Sequence, residues 1–141
     1  MNYIYIYFIC LDGKNSYGNE VTPLMIAVAH EHFHLVKYLI EQGEADPNIS
    51  AGTYGQNALH YAAECNRTDT GLIQLLLDNM SLDSINQETN DGETPLDYCY
   101  DENDSPIRQE IIALLRSKGG KANCHNANGR RVGDGNGDLN H

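Results

Sequence analysis

Residues 22–43, TPLMIAVAHEHFHLVKYLIEQG, decide the fold. Thr22 followed by Pro23 suits a helix N-cap and first helical position. Leu24, Ala27 and Val28 then mark one face of a short first helix. Beyond a polar turn, Leu35, Val36, Leu39 and Ile40 recur at i, i+1, i+4 and i+5, which makes one apolar stripe on a second helix. Gly43 stands where a left-handed C-cap is wanted. Two helices this short cannot bury their own stripe, so the segment needs neighbours of its own kind.

The chain supplies them. TPLMIAVAHEHFHLVKYLIEQGEADPN from Thr22 aligns with NALHYAAECNRTDTGLIQLLLDNMSLDSIN from Asn57 and TPLDYCYDENDSPIRQEIIALLRSKGGKAN from Thr94, starts 35 and 37 residues apart. The first-helix positions become Leu59, Ala62 and Ala63, then Leu96, Cys99 and Tyr100. The second-helix stripe becomes Leu72, Ile73, Leu76 and Leu77, then Ile111, Ile112 and Leu115, with Arg116 closing the set. Between copies lie EADPNISAGTYGQ and SLDSINQETNDGE, polar turn or hairpin material. Three such units stacked side by side form an all-α solenoid with one continuous core.

The stretches TPLMIAV, NALHYAA and GETPLDY, backed by LVKYLIEQG and LIQLLLDN, resemble the ankyrin repeat, whose T-P-L-H-x-A signature and period of ~33 residues are distinctive. The resemblance covers residues 18–123 and implies stacked helix-turn-helix units joined by hairpin-like loops. Departures are visible. Both loops look long, Met80 takes a place where the family usually has Gly, and copies two and three carry insertions around NRTDTG and DENDSP. Ser105-Pro106 supplies a fresh helix start after the second insertion. Tyr100, in place of Ala63, suits copy three as the terminal cap. Residues 1–17 read equally as a strand, from their Ile-Tyr alternation, or as the second helix of a truncated earlier repeat. Residues 124–141 are Gly/Asn-rich and read as a disordered tail.

Composition narrows the function. A net charge of −11 over 141 residues disfavours nucleic acid, whose backbone recruits basic surfaces, and suits a basic protein partner. Cys10, Cys65, Cys99 and Cys124 form no CxxC pair, as expected of reduced thiols in an intracellular protein. The N-terminal apolar run is shorter than the ~20 residues a membrane span needs and lacks the features of a secretory signal. The expectation is a soluble, cytoplasmic or otherwise intracellular monomer.

His30-Glu31-His32-Phe33-His34 is a literal HExxH, a zinc-hydrolase pattern when both outer histidines share one helix. Against the repeat frame the first helix ends at Ala29 and His30, so the motif straddles a turn. No third ligand follows at the usual spacing. DGNGDLN in the tail starts like a calcium loop, yet Leu139 stands where Gly is required. No phosphate loop or nucleophile elbow is present, so no catalytic residue, metal ligand or cofactor is assigned.

A surface is the remaining candidate. In ankyrin-like proteins targets lie across the hairpin tips and exposed first-helix ends. Carried over by position, that face holds Val21, Ala29 and His30 in copy one. Copy two contributes Thr53, Tyr54, Gln56, Glu64 and Cys65, and copy three Asn90, Asp91, Glu93, Asp101 and Glu102. Tyr54 is the expected aromatic anchor, and the carboxylates an acidic edge that steers a Lys/Arg-bearing protein.

Overall fold

The computed structural model describes residues 21–42, 45–64, 70–100 and 105–125. Residues 1–17, Gly43, Cys65, Asp101, Glu102 and the tail from 126 lie outside them.

Thr22 Oγ1 accepts the Met25 N–H at 3.2 Å and starts α1 (Pro23–Ala29). That helix stops because Glu31 turns left-handed, φ 58°. The Glu31 N–H then reaches the Val28 carbonyl at 2.9 Å and the His32 N–H the Ala27 carbonyl at 3.0 Å, the two closing bonds of a Schellman turn. A Glu in this conformation is strained by roughly 1–2 kcal/mol, which Gly avoids. The second helix, α2, follows at once (Phe33–Glu41).

The loop after α2 is a true hairpin. Strands β1 (Ser50–Ala51) and β2 (Gln56–Asn57) pair antiparallel, Ser50 opposite Asn57 and Ala51 opposite Gln56. Asn57 then caps α3 (Ala58–Glu64): its Oδ1 accepts the Leu59 and His60 N–H groups at 3.0 and 3.1 Å. Helix α4 (Thr70–Asp78) completes repeat two. Repeat three contributes α6 (Pro106–Ser117), capped by Ser105 Oγ on the Arg108 N–H at 3.3 Å.

First helices stack on first helices and second on second: α1 packs on α3, and α4 on α6. Leu24, Val28, Val36, Leu59, Leu72, Ile73, Leu76, Leu96 and Leu115 form one core across all three repeats, each at most 2% exposed. Consecutive repeats are also fastened by side chains on backbone. Asn57 Nδ2 donates to the Ser84 carbonyl (2.8 Å), and Thr94 Oγ1 to the Lys121 carbonyl (2.6 Å). Asn48 Oδ1 accepts the Ser81 N–H (2.8 Å), and Asn86 Oδ1 the Lys121 N–H (2.7 Å).

Four expectations differ from the structure. The first helix of repeat three shrinks to a 3-10 turn, Asp97–Cys99, which ends where Tyr100 becomes extended (φ −92°, ψ 107°) and the Cys99 carbonyl accepts from the Arg108 guanidinium. The second loop holds a helix, α5 (Leu82–Ile85), capped by Ser81 Oγ on the Ser84 N–H at 3.2 Å. Arg116 is exposed, whereas Arg108 is the buried basic residue of α6, at 5%. Lys121–His125 lie against repeat three, so Cys124 and His125 are bonded where a free tail was expected.

Candidate partner-binding surface

The two loop tips are joined by one residue. Asn90 donates its backbone N–H to the Tyr54 carbonyl (2.9 Å) and its side-chain Nδ2 to the Thr53 carbonyl (2.6 Å). Gly55 makes that approach possible: a Cβ there would stand 3.0 Å from Asn90 Oδ1, and its φ is +70°. With its carbonyl engaged, Tyr54 keeps its side chain outward, 53% exposed. Thr53 and Asp91 are exposed beside it.

Below the tips, Gln56 Nε2 donates to the Tyr98 hydroxyl at 2.8 Å, linking β2 to repeat three. The Tyr98 ring meets that of His60, centroids 4.9 Å apart at 69°. Burial pushes the Tyr98 phenol up; the Gln56 hydrogen bond opposes this, and the carboxylates of Glu93, Glu64 and Asp91 add to the rise. Desolvation also raises the Glu64 carboxyl at the end of α3. Hydrogen bonds thus join Gln56 to Tyr98 and Asn90 to Thr53 and Tyr54. Asp101 and Glu102 lie outside the described residues.

His30 belongs to different surroundings. It is the exposed C-cap of α1, with Nδ1 bonded to the Ile26 carbonyl (2.9 Å) and its ring stacked on His32 at 6.0 Å. The turn at Glu31 puts His30 at the end of α1 and His34 on α2, so the HExxH residues do not share a helix. Among the described residues, no group of three or more His, Cys, Asp or Glu gathers in a metal-holding arrangement. Val21, expected on the binding face, is 6% exposed and belongs to the core.

The fourth position of the TPLH signature supports the site from beneath. In copy two it is His60, buried, with Nε2 3.0 Å from the Glu93 carbonyl. A carbonyl only accepts, so the proton sits on Nε2, and Nδ1 accepts the Asn57 N–H at 3.1 Å. Burial lowers His60 to about 4 against the pull of that carbonyl, which keeps the ring neutral near pH 7. In copy three the position is Asp97, 2% exposed, whose carboxylate accepts from the N–H groups of Thr94, Asn123 and Cys124 and from His125 Nδ1. Burial pushes Asp97 up, but these donors together hold it below the usual carboxylate range. The residue type follows the facing backbone: a donor where a carbonyl arrives, an acceptor where N–H groups arrive. Sequence reading missed both roles, though their place in the signature marked them.

The family model of ankyrin repeats, in three copies, matches residues 4–73 and 45–128. Over 79 residues, 56% of the chain, it is 45% identical to the BTB/POZ domain and ankyrin repeat-containing protein NH5.2 of Oryza sativa subsp. japonica, covering 15% of that protein. It is 42% identical over 85 residues to Regulatory protein NPR6 of Arabidopsis thaliana, 60% of the chain and 17% of the relative. Zinc finger CCCH domain-containing protein 47 of Arabidopsis thaliana is 31% identical over 112 residues, 76% of the chain and 19% of that protein. The chain thus spans less than a fifth of the length of each of these relatives.

Proposed function

This chain belongs to the ankyrin-repeat family, and from that premise we propose that it is a non-enzymatic protein-interaction module of adaptor or scaffold type. Its partner lies across the hairpin tips and first helices and presents a basic surface. The observation that carries this reading is the joined pair of tips, which holds the exposed Tyr54 on a rigid footing. A pre-ordered aromatic loses little entropy on binding and is a common interface anchor. The names of two relatives, one a BTB/POZ and ankyrin repeat-containing protein and one a regulatory protein, agree with such a role. The hydrolase reading of His30, Glu31 and His34 lacks the shared helix its chemistry requires.

Capture from a lysate of the source cell tests the proposal. Wild type and a variant with Asp91, Glu93, Asp101 and Glu102 changed to Ser are compared at physiological salt, once both are shown to fold equally well. A basic protein held by the wild type and lost by the variant is the expected outcome. Equal recovery by both moves the interface off the acidic edge.

A second reading has one observation in its favour. The Thr94 to Lys121 bond repeats the Asn57 to Ser84 bond at the same separation of 27 residues, so Lys121–His125 sit as the next loop of the stack does. That pattern also suits a structural segment of a longer repeat protein with no partner of its own. A cooperative thermal transition of the isolated chain counts against this second reading.

A further inference from the structure

The segment Lys121–His125 grips the second tip at Gly92. Asn123 Nδ2 donates to the Gly92 carbonyl at 2.7 Å, and Cys124 Sγ, a weaker donor, reaches the same oxygen at 3.4 Å. The segment is itself held. The Asn123 N–H lies 2.9 Å from the buried Asp97 carboxylate, and Asn86 Oδ1 accepts the Lys121 N–H at 2.7 Å. Gly92 belongs to a closed turn: its N–H bonds the Thr89 carbonyl at 2.9 Å, and Thr89 Oγ1 accepts the N–H groups of Asp91 and Glu93, each at 3.2 Å. Asn90 lies inside that turn and carries the two bonds to Thr53 and Tyr54. A side-chain amide thus fastens each junction, Asn90 Nδ2 on the Thr53 carbonyl of the first tip and Asn123 Nδ2 on the Gly92 carbonyl of the second.

We propose that Asn123 is a positioning residue for the partner surface, holding the second tip through Gly92 and, through Asn90, the backbone that carries the exposed Tyr54 ring. This rests on the protein-binding reading above and says what sets its aromatic anchor. Asn123 is exposed, so its side chain acts by where it holds the tip and not by filling the core. A tip held from both sides is pre-ordered and loses less entropy when a partner docks. Asn123→Asp is the sharpest variant, because it keeps the shape and sets an acceptor-only oxygen against the Gly92 carbonyl.

The test follows amide hydrogen exchange by NMR in the full 15N-labelled chain, for wild type, Asn123→Ala and Asn123→Asp. Urea unfolding and affinity for the partner captured by wild type are measured beside it. Both variants should speed exchange of the Asn90 amide by about three- to tenfold, one hydrogen bond's worth, and weaken the partner by a similar factor. Exchange at Leu76, in the core, and at Cys124, whose N–H is bonded to Asp97, should stay at the wild-type rate, with the urea midpoint unmoved. Asn90 exchange unchanged in both variants, or raised no more than exchange throughout repeat three, would overturn the assignment. Faster Asn90 exchange with the partner held as tightly as before would overturn it too, and leave the interaction module standing. A partner indifferent to Tyr54→Ala would instead remove the tips as its docking surface, while exchange in the free chain still decides whether Asn123 sets them.

Discussion

His60 Nε2 lies 3.0 Å from the carbonyl oxygen of Glu93, so the first helix of repeat two is bonded directly to the tip that leads into repeat three. The tip therefore owes its placement to a buried, neutral imidazole.

Burial of that imidazole makes stability depend on pH. The ordinary value for His60 is 6.5, and in the folded chain it is about 4. Between those values the unfolded chain binds the extra proton, so His60's contribution is full above pH 6.5 and lost as pH falls through about 4. The difference between 6.5 and about 4 corresponds to on the order of 3 kcal/mol. Asp97, held below 3.8, adds a loss of the same sign at still lower pH. Urea unfolding between pH 4 and 7.5 should show stability falling on acidification. His60→Gln, which keeps a donor for Glu93, should flatten that slope, and an unchanged slope would contradict the assignment.

Leu76 is fully buried on α4, between the second helices of its neighbours. Leu76→Ala should lower the unfolding free energy by about 2–5 kcal/mol, a large share of what a small domain has. Chemical denaturation measures it directly, and a loss below 1 kcal/mol would mean that α4 does not bridge the repeats.

Asn57 caps α3 with its oxygen and holds the Ser84 carbonyl with its nitrogen. Asn57→Ala removes both and should cost about 2–3 kcal/mol. Asn57→Ser retains the cap alone and should fall between. If Ser and Ala behave alike in thermal melts, the link to Ser84 contributes nothing.

Gly119 closes α6 with φ +92°, and a Cβ there would stand 2.7 Å from Leu82 Cδ1. Gly119→Ala should destabilise by about 1–3 kcal/mol, part backbone and part clash. Adding Leu82→Ala should recover the clash portion, so a double-mutant cycle on melting data should give a nonzero coupling.

The repeat frame was legible because apolar spacing and capping residues act locally. Thr22, Asn57, Thr94 and Ser105 announce helix starts whatever surrounds them. Hydrogen bonds between repeats decided what was missed. Nothing near Cys99 in sequence says that its carbonyl will meet Arg108, so the loss of the third first helix was hidden. Ser81 was a readable N-cap, yet the Asn and Gly around it suggested only turn. Tyr98 was overlooked because its partners, Gln56 and His60, lie in the preceding repeat. Position in the stack placed Thr53, Tyr54 and Asn90 at the tips, but that Asn90 fastens one tip to the other needed coordinates.

The central claim, that the joined tips form the binding surface, meets its most direct test in Tyr54→Ala. Affinity for the captured partner and urea unfolding free energy are measured side by side at physiological salt. The account predicts affinity weakened by 2 kcal/mol or more, about thirtyfold, with unfolding free energy within about 0.5 kcal/mol of wild type. Unchanged affinity would contradict it, and so would an affinity loss matched by an equal loss of folding stability.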